Sequence, residues 1–194
     1  MIWHDHSKLR GTHAVLSPSN HSWMHYDEDK LINFIYNMMA KEKGTELHDF
    51  AEKAIKLREP LANKRRTLNM YVNDAIRYDM EPEKCVWYSD YIYGWADSIS
   101  FNIEKKYSKT KPLLRIHDLK TGIVKASFEQ LDGYAALFCL EYGHNPRDIL
   151  FEERIYQNDE VHICNPTIEN ILPIMDQIKL FDQVIRDIKI KEGV

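Results

Sequence analysis

From Asp27 onward the apolar residues Leu31, Ile32, Phe34, Ile35, Met38 and Met39 recur at helical spacing. Gly44 interrupts the stripe, and Leu47, Phe50, Ala51, Ala54 and Ile55 resume it as far as Pro60. A further helix fits residues 61–79, where Leu68, Val72, Ala75 and Ile76 share a face. The first twenty residues have no clear period, and Ser19 or Asn20 is placed to cap a first helix. The period then changes. "CVWYSDYIYGWADSISF" (85–101) is dense in aromatic and β-branched residues, which predicts two strands around a turn near Asp90. "LLRIHDLKTG" (113–122) is a third strand, and residues 127–143 form an amphipathic helix closed by Gly143. Residues 148–166 predict two strands around Asn158-Asp159, and a last helix spans 167–189. Helices, three strands, a helix, two strands and a helix predict an α/β fold, a sheet flanked by helices with extra helices at the N-terminus. No repeat or low-complexity linker divides the chain, so one domain over 1–194 is expected.

Composition removes several function classes. Hydrophobic residues make up 44% and charged residues 29%, with no run of 18 apolar residues and no signal-like start. A soluble, cytoplasmic protein with no membrane partner is expected. Cys85, Cys139 and Cys164 lie far apart without a CxxC pair, which argues against a disulfide framework and against a four-thiolate metal or iron-sulfur site. His4, Asp5 and His6 lack the second ligand pair that a zinc site needs. The net charge of -4 does not advertise a polyanion partner. Basic residues are nonetheless clustered, with six Lys or Arg against one Glu over 53–66, ending in Lys64, Arg65 and Arg66, and four against none over 105–111.

The chemistry concentrates on the third strand. Asp118 and Lys120 are two apart on an apolar strand and point to one face, where each charge is expensive unless it meets a partner, a metal or a substrate. An acid two before a lysine also occurs at Glu28, Glu104 and Asp187, so the pair alone is weak. Only the copy at 118 sits on an apolar strand, and only it follows a strand with an acid after a glycine, Asp97 in "YGWADSI". Two carboxylates on neighbouring strands make an oxygen-rich pocket for Mg²⁺ or Mn²⁺. Gly44 and His48 are i and i+4 on a helix, which lets another element approach beside the imidazole. Gln130 and Tyr134 repeat that spacing on the helix after the third strand.

In this order the four elements resemble the PD-(D/E)XK nuclease superfamily, specifically its RecB-like exonuclease branch. That branch is marked by G-x-x-x-H on a helix, an Asp on a strand, (D/E)-x-K on the next strand and Q-x-x-x-Y on the following helix. The resemblance implies a restriction-endonuclease-like core around a central mixed sheet. It implies that His48, Asp97, Asp118 and the Leu119 carbonyl hold one or two Mg²⁺ or Mn²⁺ ions. Asp97, Asp118 and Lys120 would be catalytic, with Lys120 orienting or helping to deprotonate the attacking water. Gln130 and Tyr134 would line the site and contact the nucleic-acid strand, and Lys64, Arg65 and Arg66 would track its backbone. The chain departs from the CRISPR-associated members in lacking their four cysteines, so no iron-sulfur cluster is expected, and it lacks the helicase domains of the large relatives. The expected activity is that of a metal-dependent deoxyribonuclease. An exonuclease in recombination, repair or phage or mobile-element DNA processing leads, with DNA as partner and a recombinase or single-strand-binding protein as a candidate accessory. The alternatives are a structure-specific or restriction-type endonuclease on the same fold and a catalytically idle nucleic-acid-binding module. Trp23, Trp87, Tyr88 and Trp95 are candidates to stack on bases, although core packing is the commoner role for such residues.

Overall fold

A computed structural model describes residues 7–9, 11, 14–103, 110–122 and 126–192. His4, Asp5 and His6, the acid-lysine copy at Glu104 and most of the basic run 105–111 lie outside the described residues. Contacts divide the chain into two compact units, Met1–Lys43 and Gly44–Val194. In the first, 3-10 turns over Pro18–His25 stand where a helix capped at Ser19 or Asn20 was expected, because Asn20 leaves helical geometry at φ -111° and ψ 75°. Helix α1 (Glu28–Lys56) begins behind Asp27, whose Oδ1 accepts the Lys30 N–H at 2.8 Å as an N-cap. The helix does not break at Gly44. One glycine costs only ~1 kcal/mol relative to alanine, too little to interrupt a long helix that is packed elsewhere.

The second unit adds α2 (Thr67–Arg77), β1 (Glu81–Ser89), β2 (Ile92–Asn102), β3 (Leu113–Leu119), α3 (Glu129–Glu141), β4 (Leu150–Gln157), β5 (Glu160–Cys164) and α4 (Ile168–Glu192). The strands lie in the order β1-β2-β3-β4-β5, antiparallel except for the parallel β3/β4 pair. The fold is therefore α/β with a five-stranded mixed sheet flanked by helices. A parallel pair needs a long crossover, and α3 supplies it. Asn158 and Asp159 both take positive φ, 52° and 60°, as a tight β4–β5 hairpin turn requires, and Gly143 ends α3 at φ 66°. α2 is shorter than the periodicity predicts. Residues 61–66 are not helical, since the Asn73 side chain holds Leu61 N–H at 2.8 Å and Leu61 C=O at 3.0 Å. Asp159 then accepts from the Thr67 N–H at 2.8 Å and starts the helix there.

Two cores cover the sheet. Leu114 and Ile116 of β3 pack with Leu131, Ala135 and Phe138 of α3 and Ile171 and Met175 of α4. Leu119 packs in the other core with Ala51 and Ile55 of α1 and Tyr71 and Val72 of α2. Every residue of β3 is buried, as expected of a central strand covered on both sides. That burial includes Arg115 and His117. Arg115 donates to Glu152 Oε1 at 2.6 Å and lies over the Tyr78 ring, 3.8 Å from its centroid. Arg154 shares the same Glu152 oxygen at 2.9 Å and reaches Asp74 at 3.0 Å, so these buried charges are answered within the fold.

Candidate functional site

The strand carrying Asp97 and the strand carrying Asp118 part company just where those residues sit. Main-chain pairing of β2 with β3 ends at Ser98↔His117. Beyond it the Leu119 N–H donates to a side chain, Asp97 Oδ2, at 2.7 Å. Strand alternation also slips at Asp97: Ala96 and Ile99 face the same core although three residues apart, while Ser98 Oγ donates to the Met80 sulfur in the other core. Across the β1/β2 ladder, Pro82↔Ser98 and Lys84↔Ala96 leave Glu83 opposite Asp97. Glu83 itself takes the left-handed φ of 47°, which a strand does not require and a residue with a Cβ seldom adopts.

These irregularities gather acids. His48 Nδ1 of α1 lies 3.5 Å from Asp97 Oδ2. His48, Glu83 and Asp97 each offer a ligand atom within 4.8 Å of the others, the one group of its kind among the described residues. Burial, with Asp118 adding repulsion, pushes the Asp97 carboxyl up to about 7. Asp118 stands beside this group and is 1% exposed. Its Oδ1 lies 3.0 Å from Lys120 Nζ, while its Oδ2 is buried without a hydrogen-bond partner. Burial raises the Asp118 carboxyl and Lys120 opposes the rise. His48, Glu83 and Asp97, an imidazole and two carboxylates with close ligand atoms, are a donor set that could hold a Mg²⁺ or Mn²⁺ ion.

The other two sequence elements continue from Lys120. Its ammonium donates to Gln130 Oε1 at 2.9 Å, and Gln130 Nε2 donates to the Tyr134 hydroxyl at 2.9 Å. Asp118, Lys120, Gln130 and Tyr134 thus form one polar chain from β3 to α3. Two glycines make room for it. A Cβ at Gly94 would lie 2.7 Å from Tyr134 Cε1, and one at Gly44 would lie 2.8 Å from Thr121 Oγ1, just past β3. The close approach expected beside His48 is therefore made by the segment that follows Lys120.

Other candidates sit elsewhere. Lys64 and Arg65 are exposed, and the Arg66 side chain pairs with Asp159 of the β4–β5 turn at 2.7 Å. Trp87 and Trp95 project into solvent at 46% and 56% exposure, which removes them from the core-packing role. Tyr88 packs against the core, and Trp23 donates to Ser17 C=O at 2.9 Å. Two acids escaped the sequence reading. Glu83 sits in "EPEK", where nothing marks a ligand. Glu153, inside the β4 strand, is 1% exposed with both carboxylate oxygens unpartnered. Among the described residues no helix is long and apolar enough to cross a membrane. Comparison with family models, with curated proteins and with solved structures yields no match.

Proposed function

We propose that this chain is a divalent-metal-dependent deoxyribonuclease of the PD-(D/E)XK type, built on a restriction-endonuclease-like core and acting from DNA ends. The observation that carries this reading is the convergence of four separate sequence elements: His48, Asp97, the Asp118-Lys120 pair and the Gln130-Tyr134 pair. Residues with only local spacings in common have no cause to meet, yet the His48–Asp97 contact and the Asp118–Lys120–Gln130–Tyr134 chain are joined where the Leu119 N–H, beside Asp118, donates to Asp97. The β3-α3-β4 crossover, with its mixed sheet, supports the same core.

In this reading His48, Asp97, Asp118 and the Leu119 carbonyl would hold the ion. A bound Mg²⁺ or Mn²⁺ supplies a water of lowered pKa and positive charge for the phosphoryl oxygens. Asp118 Oδ2, which has no partner, is free to turn to it without breaking a bond inside the protein. Lys120 is partly exposed, its ammonium steadied by Asp118 and Gln130, so a phosphate oxygen can take up one of its donors. There the fixed cation stabilises charge growing in the transition state. The Gln130 amide and the Tyr134 hydroxyl, aligned by their own hydrogen bond, present donors to the strand beside the scissile phosphate.

The test is cleavage of end-labelled linear and covalently closed circular DNA with Mn²⁺ or Mg²⁺, run beside Lys120→Ala. The reading expects linear substrate to be degraded, circles to survive, and the variant to lose ~10²-fold in rate. Cut circles would make the enzyme an endonuclease on the same fold. No cleavage of either substrate, or a variant within about tenfold of wild type on the scale of such losses, would remove the reading.

A further inference from the structure

We infer that Glu83 is a metal ligand, completing with His48 and Asp97 a donor set that the four-element motif does not contain. The inference builds on the proposed metal site and adds a residue that the resemblance leaves out. Three observations lead to it. The ladder sets Glu83 directly across from Asp97, on the rung where β2 loses its regular alternation. Its ligand atom falls within 4.8 Å of those of His48 and Asp97. An independent pointer comes from Asp118, a carboxylate 1% exposed whose Oδ2 has no partner and whose electrostatic neighbours are His48, Asp97 and Lys120. A buried acid left half satisfied near His48 and Asp97 is what a cation would complete.

The backbone at Glu83 agrees. With φ at 47° the residue departs from strand geometry into a region that a side chain with a Cβ disfavours. Asp49 and Glu52 of α1 also act on Glu83, and burial together with Asp97 raises its carboxyl while His48 lowers it. Without a cation this is a concentration of like charge. With one, the ligand atoms of His48, Glu83 and Asp97 would share it, while Asp118 keeps its contact with Lys120. Glu83 then determines whether the imidazole side binds an ion, while Asp118 governs the side next to Lys120.

The test is calorimetric titration of the full chain with Mn²⁺, in the absence of nucleic acid, for wild type, Glu83→Gln and Glu83→Asn. Asparagine tolerates left-handed φ, so the second variant keeps the backbone if glutamine strains it. We expect both variants to weaken Mn²⁺ binding by about tenfold or more, at least the loss that removing an outer-shell partner of a metal site brings, or to lose a binding step that wild type shows. The metal-free melting temperature should stay constant or rise as repulsion is relieved. Affinity and stoichiometry unchanged in both variants would overturn the inference, as would a lower metal-free melting temperature with unchanged binding, which makes Glu83 structural. The outcomes separate from those of the nuclease reading. Binding through Glu83 in a protein that cuts no DNA would keep this inference and sink the activity, and cleavage with Glu83-independent binding would do the reverse.

Discussion

Asp118 has one oxygen on Lys120 and the other on nothing, and this asymmetry makes it the most informative single residue. A purely structural partner of Lys120 would lose stability on neutralisation. A ligand waiting for a cation would not, because its charge is buried at a cost that Lys120 offsets only in part. Asp118→Asn should therefore leave the metal-free melting temperature unchanged or raise it, and erase most of the rise that Mn²⁺ gives wild type. A saturating ion at about 100 times its dissociation constant adds ~2.7 kcal/mol, roughly 5 to 11 °C for a domain of this size. Thermal denaturation with and without Mn²⁺ checks both signs. A fall of several degrees without metal, with the Mn²⁺ response kept, would return Asp118 to a structural role. Asp118, Lys120, Gln130 and Tyr134 were legible as candidates because their spacings are local and the proposed chemistry needs those residue types. Glu83 was not, because its position depends on a left-handed backbone and on the register of a ladder, neither of which leaves a mark in "EPEK".

At the level of elements, the two glycines make unequal demands. The space missing at Gly94 is filled by the edge of an aromatic ring held by Gln130, whereas at Gly44 it is filled by the end of a threonine side chain that can rotate. Gly94→Ala should displace Tyr134 and cost stability and, on the proposed function, cleavage rate. Gly44→Ala combined with Thr121→Ala removes the obstruction and keeps the helix gain, so the double variant should be more stable than Thr121→Ala alone by about 0.5–1 kcal/mol. Chemical denaturation of the four proteins decides it, and a double variant less stable than Thr121→Ala would show that α1 needs a glycine at 44 for another reason. Element order and type followed from periodicity, from Asp90 to the Asn158-Asp159 turn and the glycine after α3. The start of α2 did not, because it is set by Asn73 and Asp159, one reaching back from the helix and the other across from a distant hairpin.

Across the whole molecule, buried acids set how stability follows pH. Burial, reinforced by Asp132, pushes Glu153 up to about 9 from an ordinary 4.5, and Asp97 stands at about 7. Both are raised on folding, so the stability they contribute is complete below their unfolded values and drains away as pH rises toward the folded ones. The metal-free protein should grow less stable from about pH 4 to pH 9 through these two groups. Glu153→Gln removes one of them, and its melting temperature relative to wild type should climb steadily between pH 5 and pH 9; a constant difference would mean that Glu153 ionises normally. The buried pairing of Arg115 and Arg154 with Glu152 was hidden from the sequence, since the acid that answers Arg115 comes from another strand, 37 residues away. Where β2 and β3 separate, the Leu119 amide hydrogen relies on the carboxylate of Asp97. Its neighbours in the centre of the sheet should exchange with deuterium only when the molecule unfolds as a whole. That one amide can exchange when a single side chain turns away, so its rate gives a spectroscopic readout of Asp97: slow while the carboxylate faces inward, and faster once protonation or another bond draws it off.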